Sequence, residues 1–232
     1  MTENPFAPSQ LDATVDQRPR TVKTYVYKSA SWLAKAITIL MCGCILLFVL
    51  SAVIQAAGHL KSPYFLDPNV EIEGAVLGRL FQTGLLVGGI NLAIQLAIAF
   101  LVCWFMVRTN KNCRALGAEN MRFTPGWCCG YWFIPIISWF RPYQAMKEIY
   151  KASVSPEGDT WTSVKRLSQF PFWWTGWLSG EMLEDAAELI TDANVKFGAV
   201  MISTAIKFMA GILLIQIVRR IVREQEKHAP RT

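Results

Sequence analysis

The chain has 232 residues, 53% of them hydrophobic and 17% charged, with a formal net charge of +6. Soluble domains carry about 25% charged residues, so this chain is short of groups that face water, which argues against an ordinary soluble enzyme. Hydropathy and charge place such a chain in a membrane and orient it there, but they do not name an activity.

Residues 1 to 30 open MTENPFAPSQLDATVDQRPR, with three prolines and no apolar period, and read as a disordered cytoplasmic tail. Residues 31 to 222 read as a multi-pass membrane domain, and 223 to 232 as a second cytoplasmic tail. Ile37 to Ala57 is a run of 21 residues without a charge, and Leu80 to Val107 a run of 28. A bilayer core about 30 Å thick needs roughly 20 helical residues, so both are expected to cross. The first reads as a retained anchor, because no clear small-residue cleavage site follows it. A third candidate, Val195 to Val218, is apolar except for Lys196 and Lys207.

Orientation follows from Lys and Arg, which stay on the cytoplasmic side of short loops. Net charge is +2 over residues 1–35, +3 over 108–122, +2 over 141–166 and +3 from Arg219 onward. It is −1 over 58–79 and −4 over 180–196. Both termini are therefore expected in the cytoplasm of a cell (inner) membrane, with an even number of crossings. One crossing must lie between residues 122 and 185, and two segments compete for it. Trp127 to Phe140 has basic flanks on both sides and contains Pro135, which suits a re-entrant or interfacial segment. The stretch from about Ser168 through Trp173, Trp174 and Trp177 is favoured, since its aromatics then form a cytoplasmic belt. Between them, Ala145, Met146, Ile149 and Tyr150 recur at helical spacing and predict a short amphipathic helix on the inner membrane face. The expected fold is all-α integral membrane: four transmembrane helices, one Pro/Trp-rich embedded segment and this amphipathic helix.

The residues Arg108, Asn112, Arg114-Ala115-Leu116-Gly117, Pro125-Gly126-Trp127, Trp132-Phe133, Pro135 and Pro142-Tyr143-Gln144 form a specific set. Further on come Trp173, Trp174 and Trp177, then Arg219, Arg220 and Gln225. Together they resemble the bacterial membrane family catalogued as domain of unknown function 4328, over residues of about 30 to 227. The resemblance implies a multi-pass bacterial membrane protein and supplies no activity, substrate or catalytic residue. The chain departs from that pattern in the five carboxylates after the Trp helix.

Lys207 lies near the middle of its span, where an unpaired lysine costs about 2.5 to 3.5 kcal/mol. If the Trp helix and the last span form an antiparallel hairpin turning about Asn194, Glu181 falls beside Lys207 and Asp192 beside Lys196, with Glu184 one turn from Glu181. A Lys207–Glu181 or Lys207–Glu184 pair inside the bilayer is the expectation, against a snorkelling lysine. Glu181, Glu184, Asp185, Glu188 and Asp192 share one helix face, which reads first as a solvated face and second as a cation vestibule. Gly84 and Gly88 form a small-x-x-x-small pair suited to helix packing. Cys128-Cys129 lacks metal-ligand spacing and has no nearby histidine. There is no GxxxxGK[ST], GxGxxG, GxSxG or HExxH, so no cofactor, metal or catalytic residue is assigned. The expected partners are the lipid bilayer with its anionic headgroups, and either a second copy or another membrane protein. Nucleic acid is not needed to explain the basic residues. A non-enzymatic membrane interaction or scaffold role is expected, with a small transporter or channel through Lys207 and the carboxylates as the alternative.

Overall fold

The computed structural model describes residues 25–61 and 74–230. Of residues 48, 50–61, 74–88 and 193 it describes the backbone alone. Residues 1–24 of the expected tail and most of the acidic 58–79 stretch lie outside the described residues, as do the side-chain surroundings of Gly84 and Gly88.

Among the described residues six α-helices follow one another: α1 Ser31–Lys61, α2 Gly74–Ala115, α3 Pro125–Gly130, α4 Arg141–Val154, α5 Gln169–Ala187 and α6 Ala193–His228. Short 3-10 turns at Tyr131–Phe133, Ile137–Trp139 and Thr160–Ser163 join them. No strand forms among the described residues; an isolated bridge links Ala118 to Gly158. Local chemistry sets the boundaries. Gly117, at φ +107°, stops α2 in a Schellman turn, with Ala118 N–H donating to Cys113 O and Gly117 N–H to Arg114 O. Pro125 opens α3 and Pro142 opens α4, where the missing N–H costs nothing. Asp192 caps α6, its carboxylate accepting from the N–H of Asn194 and Val195 at 2.9 and 3.0 Å.

Among the described residues two helices are long and apolar enough to cross a membrane: Gly89–Ala115 of α2 and Asn194–His228 of α6. The described apolar part of α1, Ser31–Leu47, is shorter, and α5 carries Glu181, Glu184 and Asp185 in its second half. The count that length and composition support is thus smaller than the four expected. The contested Trp127–Phe140 segment is a broken run of short turns, while the stretch holding Trp173, Trp174 and Trp177 is one continuous 19-residue helix.

α5 returns antiparallel along α6, and α1 packs against both α2 and α6. The close approach of α5 to α6 uses Gly176 and Gly180. A Cβ on Gly176 would touch Ala210, and one on Gly180 would lie 2.5 Å from Lys207 Cγ. This is the small-x-x-x-small geometry, at a different pair of glycines from the one singled out in the sequence. α4 differs from expectation in its surroundings. Ala145, Met146, Ile149 and Tyr150 are buried among α2, α5 and α6, so its apolar stripe is core and is not free to lie on a membrane. Protein covers that stripe more completely than an interface would.

At the same end a buried polar network joins four segments. Asn112 Oδ1 accepts from Lys28 N–H at 3.1 Å, and its Nδ2 donates to Lys28 O and to Gln225 Oε1 at 2.9 and 3.0 Å. Gln225 Nε2 donates to Thr109 O, Ser153 Oγ and Cys113 Sγ. Ser153 donates to Ile149 O at 2.7 Å. Removing one partner from such a network orphans the rest, at about 1 to 3 kcal/mol for each buried group. Gln225→Ala is therefore expected to lower the melting temperature of the detergent-solubilised protein by more than Gln216→Ala, a surface change on the same helix. Equal effects would sink the assignment.

Candidate functional site

The segment from Pro125 to Phe140 turns its apolar side chains outward. Trp127, Phe133, Ile136, Ile137, Trp139 and Phe140 are exposed, Phe133 and Ile136 by 77% and 76%, while Pro125 and Cys128 anchor the segment inward. Its apex is a γ-turn: Ile136 has φ +66° and ψ −49°, and Ile137 N–H donates to Pro135 O at 2.7 Å. For a β-branched residue this backbone is strained, and such strain persists where neighbours over-determine it.

Those neighbours are aromatic. Trp174 Nε1 donates to Trp139 O at 2.8 Å, and Trp132 meets the Trp174 ring edge-on at 6.0 Å. Tyr143 lies against Phe170 and Trp174, and Trp173 is only 2% exposed. Behind the segment, Arg141 stands over the rings of Phe123 and Tyr131 at 5.8 and 5.7 Å. Trp127 stacks on Tyr131, Gly126 has open space around it, and Gln144 accepts from Arg141. Trp177 packs against the core from the other side.

The connection from α2 into this segment is tied by three side chains. Arg114 donates to Asn110 Oδ1, Met121 O and Phe123 O. Asn110 donates to Phe123 O at 3.0 Å, and Glu148 Oε1 accepts Phe123 N–H at 3.0 Å. Burial pushes the Glu148 carboxyl above its ordinary value of 4.5, against the opposing pull of the Phe123 and Arg122 amides and the Arg114 and Arg122 charges. A raised folded value means that this contribution to stability is complete below the unfolded value and is lost as pH climbs through the folded one. Relative to Glu148→Gln, the melting temperature of the parent protein should rise as pH is lowered from about 7 to about 5; a difference that stays flat or falls would show that the carboxyl is not the titrating group. Asn110, Glu148 and Ser153 were not singled out in the sequence. Glu148 was readable there, since it falls on the stripe of Ala145, Ile149 and Ala152 where a solvated acid has no place.

On the hairpin, Lys207 Nζ contacts the Glu184 carboxylate and lies 3.9 Å from Glu181 Oε1. The lysine side chain is 16% exposed, the Glu181 side chain 48% and the Glu184 side chain 46%. The register is slightly offset from a turn about Asn194. Ser203 donates to Gly180 O, and Lys196 pairs with Glu188 at 2.7 Å rather than with Asp192, which is occupied in capping α6. Lys207, Glu181 and Trp173 also line a cavity of about 260 Å³ between α1, α2, α5 and α6. Lys207→Glu should reduce recovery of monodisperse protein, and Glu184→Lys in the same chain should restore it. A double variant no better than the single one would mean that the contact does not hold the hairpin.

Arg108 is not brought to any of these groups: it lines a separate cleft beside α2 with Lys28 and Lys111. No group of three or more His, Cys, Asp or Glu side chains suited to a metal occurs among the described residues.

These features define an all-helical protein with apolar helices of membrane-spanning length and an aromatic, outward-facing connection between them. The domain of unknown function DUF4328 matches residues 70–223, and the chain belongs to that family. The match leaves α1 outside it and is narrower than the 30 to 227 read from motifs. No curated protein and no solved structure matches the chain.

Proposed function

We propose that this is a four-span protein of the cell (inner) membrane with both termini in the cytoplasm, acting as a non-enzymatic interaction or scaffold protein. In this reading α1, α2, α5 and α6 cross, and Trp127 to Phe140 is embedded in the cytoplasmic leaflet. Its partners are the bilayer itself and either a second copy or another membrane protein. The observation that carries the reading is the outward apolar apex at Phe133, Ile136 and Ile137 on a strained, well-braced turn with arginine behind it. Large exposed apolar patches mark membrane or protein contacts, and cations behind such a patch suit the headgroup layer.

An environment-sensitive fluorophore on Ile136→Cys, in the protein reconstituted into vesicles, should report apolar surroundings and be quenched by brominated acyl chains. Labelling at Thr191→Cys should occur from outside and at Ser155→Cys only from inside. A water-exposed Ile136 position would overturn the embedded segment, and labelling of both cysteines from one side would overturn the topology. The cavity beside Lys207 supports a second reading, a small transporter using the Lys207 pair. Solute or ion flux in those vesicles that disappears in Lys207→Ala would replace the scaffold reading with this one.

A further inference from the structure

α2 carries a lipid-compatible outer face toward its C-terminal end. Phe100 and Trp104, one turn apart, are exposed and meet edge-on at 5.8 Å. That pair leads into a cleft of about 410 Å³ lined by Tyr25, Val26, Lys28, Trp104, Val107, Arg108, Lys111 and Asn112. Its lining holds three cations and no carboxylate. Arg108 and Lys111 are three residues apart and share one side of the helix, and Arg108 is one turn beyond Trp104.

The opposite wall is held in place. Asn112, fully buried, grips the Lys28 backbone through both its N–H and its C=O, so the Lys28 backbone is fixed across the cleft from Arg108 and Lys111 while its side chain is exposed. The nearest acid of the α6 tail, Glu226, accepts from Ser29 and is not part of the lining. Trp32 braces Trp104 edge-on at 5.0 Å. An aromatic ring with three cations lining the same cleft matches the two ends of a phospholipid: ester and upper acyl chain on the ring, phosphate on the cations. Arg in particular presents a fork of donors to phosphate oxygens.

We infer that this cleft is a binding site for the headgroup of one anionic phospholipid, with Arg108, Lys111 and Lys28 holding its phosphate and Asn112 acting as the positioning residue. The shared chemistry is phosphate recognition, and the aromatic pair leading into the cleft selects a lipid over a free anion. The inference shares with the proposed function only the premise that α2 crosses a bilayer. It stands or falls without the embedded segment.

The full-length protein in neutral detergent, titrated with phosphatidylglycerol or phosphatidylcholine and read by native mass spectrometry, tests it. One phosphatidylglycerol should be retained in preference to phosphatidylcholine. Removing two of the three cations in Arg108→Ala/Lys111→Ala should cut that preference roughly 30-fold, whereas Lys147→Ala/Lys165→Ala leaves it unchanged. Lys28→Glu, on an exposed position, should also abolish the preference, and it serves where the double variant does not fold. Equal retention of both lipids by the parent protein, or an unchanged preference in Arg108→Ala/Lys111→Ala or in Lys28→Glu, would overturn the site. Displacement of the lipid by millimolar inorganic phosphate, with a phosphate adduct in its place, would overturn the lipid in favour of a free anion. A polar environment at Ile136 with lipid preference intact would count against the embedded segment alone.

Discussion

Two side-chain amides, Asn112 and Gln225, hold one end of the bundle together. An amide buried without partners is costly, and the cost grows as the surroundings become less polar. Here the two amides answer each other and consume their remaining donors and acceptors on Lys28, Thr109 and Ser153. The result joins the segment before α1, the end of α2, the end of α4 and the end of α6. Apolar contacts among long helices tolerate sliding, because one leucine surface resembles another. Directional hydrogen bonds do not, so this network fixes the register in which the apolar helices leave the core.

That fixed end explains how an irregular apolar loop keeps its shape. The chain leaves α2 at Gly117, is gripped at Phe123 by Asn110, Arg114 and Glu148, and is gripped again at Trp139 by Trp174. Between the two grips lie α3, two short 3-10 turns and the strained turn at Ile136. Because both ends are held by buried groups, the strain at the apex cannot relax by sliding. The exposed Phe133, Ile136 and Ile137 are consequently presented as a shaped surface rather than as a loose hydrophobic tether.

Much of this arrangement is legible in the sequence, and the illegible part has a common cause. The uncharged runs starting at Ile37 and Leu80 fall within α1 and α2, and the run from Val195 to Val218 within α6, because apolar length is a property of one segment. The period through Ala145, Met146, Ile149 and Tyr150 gives the α4 helix for the same reason. What that stripe meets is a property of two or more segments: the period is the same whether a helix faces lipid or core, and only Glu148 within it hinted at a protein partner. Asn112 and Gln225 stand 113 residues apart, with nothing local to join them. The hairpin register is recoverable because antiparallel helices pair positions of nearly constant index sum. It misses at Lys196, which pairs with Glu188 because Asp192 is occupied in capping α6.

The α5–α6 pair shows why charge inside an apolar fold must be counted per packing unit. Taken alone, α5 carries Glu181, Glu184 and Asp185 in its second half, and α6 carries a lysine in its middle. Packed together, Gly180 leaves room for the Lys207 stem to cross the helix contact, and the amine reaches the carboxylates of the neighbouring helix. The charge that would be unpaired on each helix is then shared between them, and the cation is the more buried partner. The lysine that the helix contact would otherwise bury alone is matched by carboxylates of the neighbouring helix, so the two helices pack as one element. Filling the Gly180 gap would separate the charges without removing either, which makes the glycine as much a part of the ion pair as the residues that bear the charge.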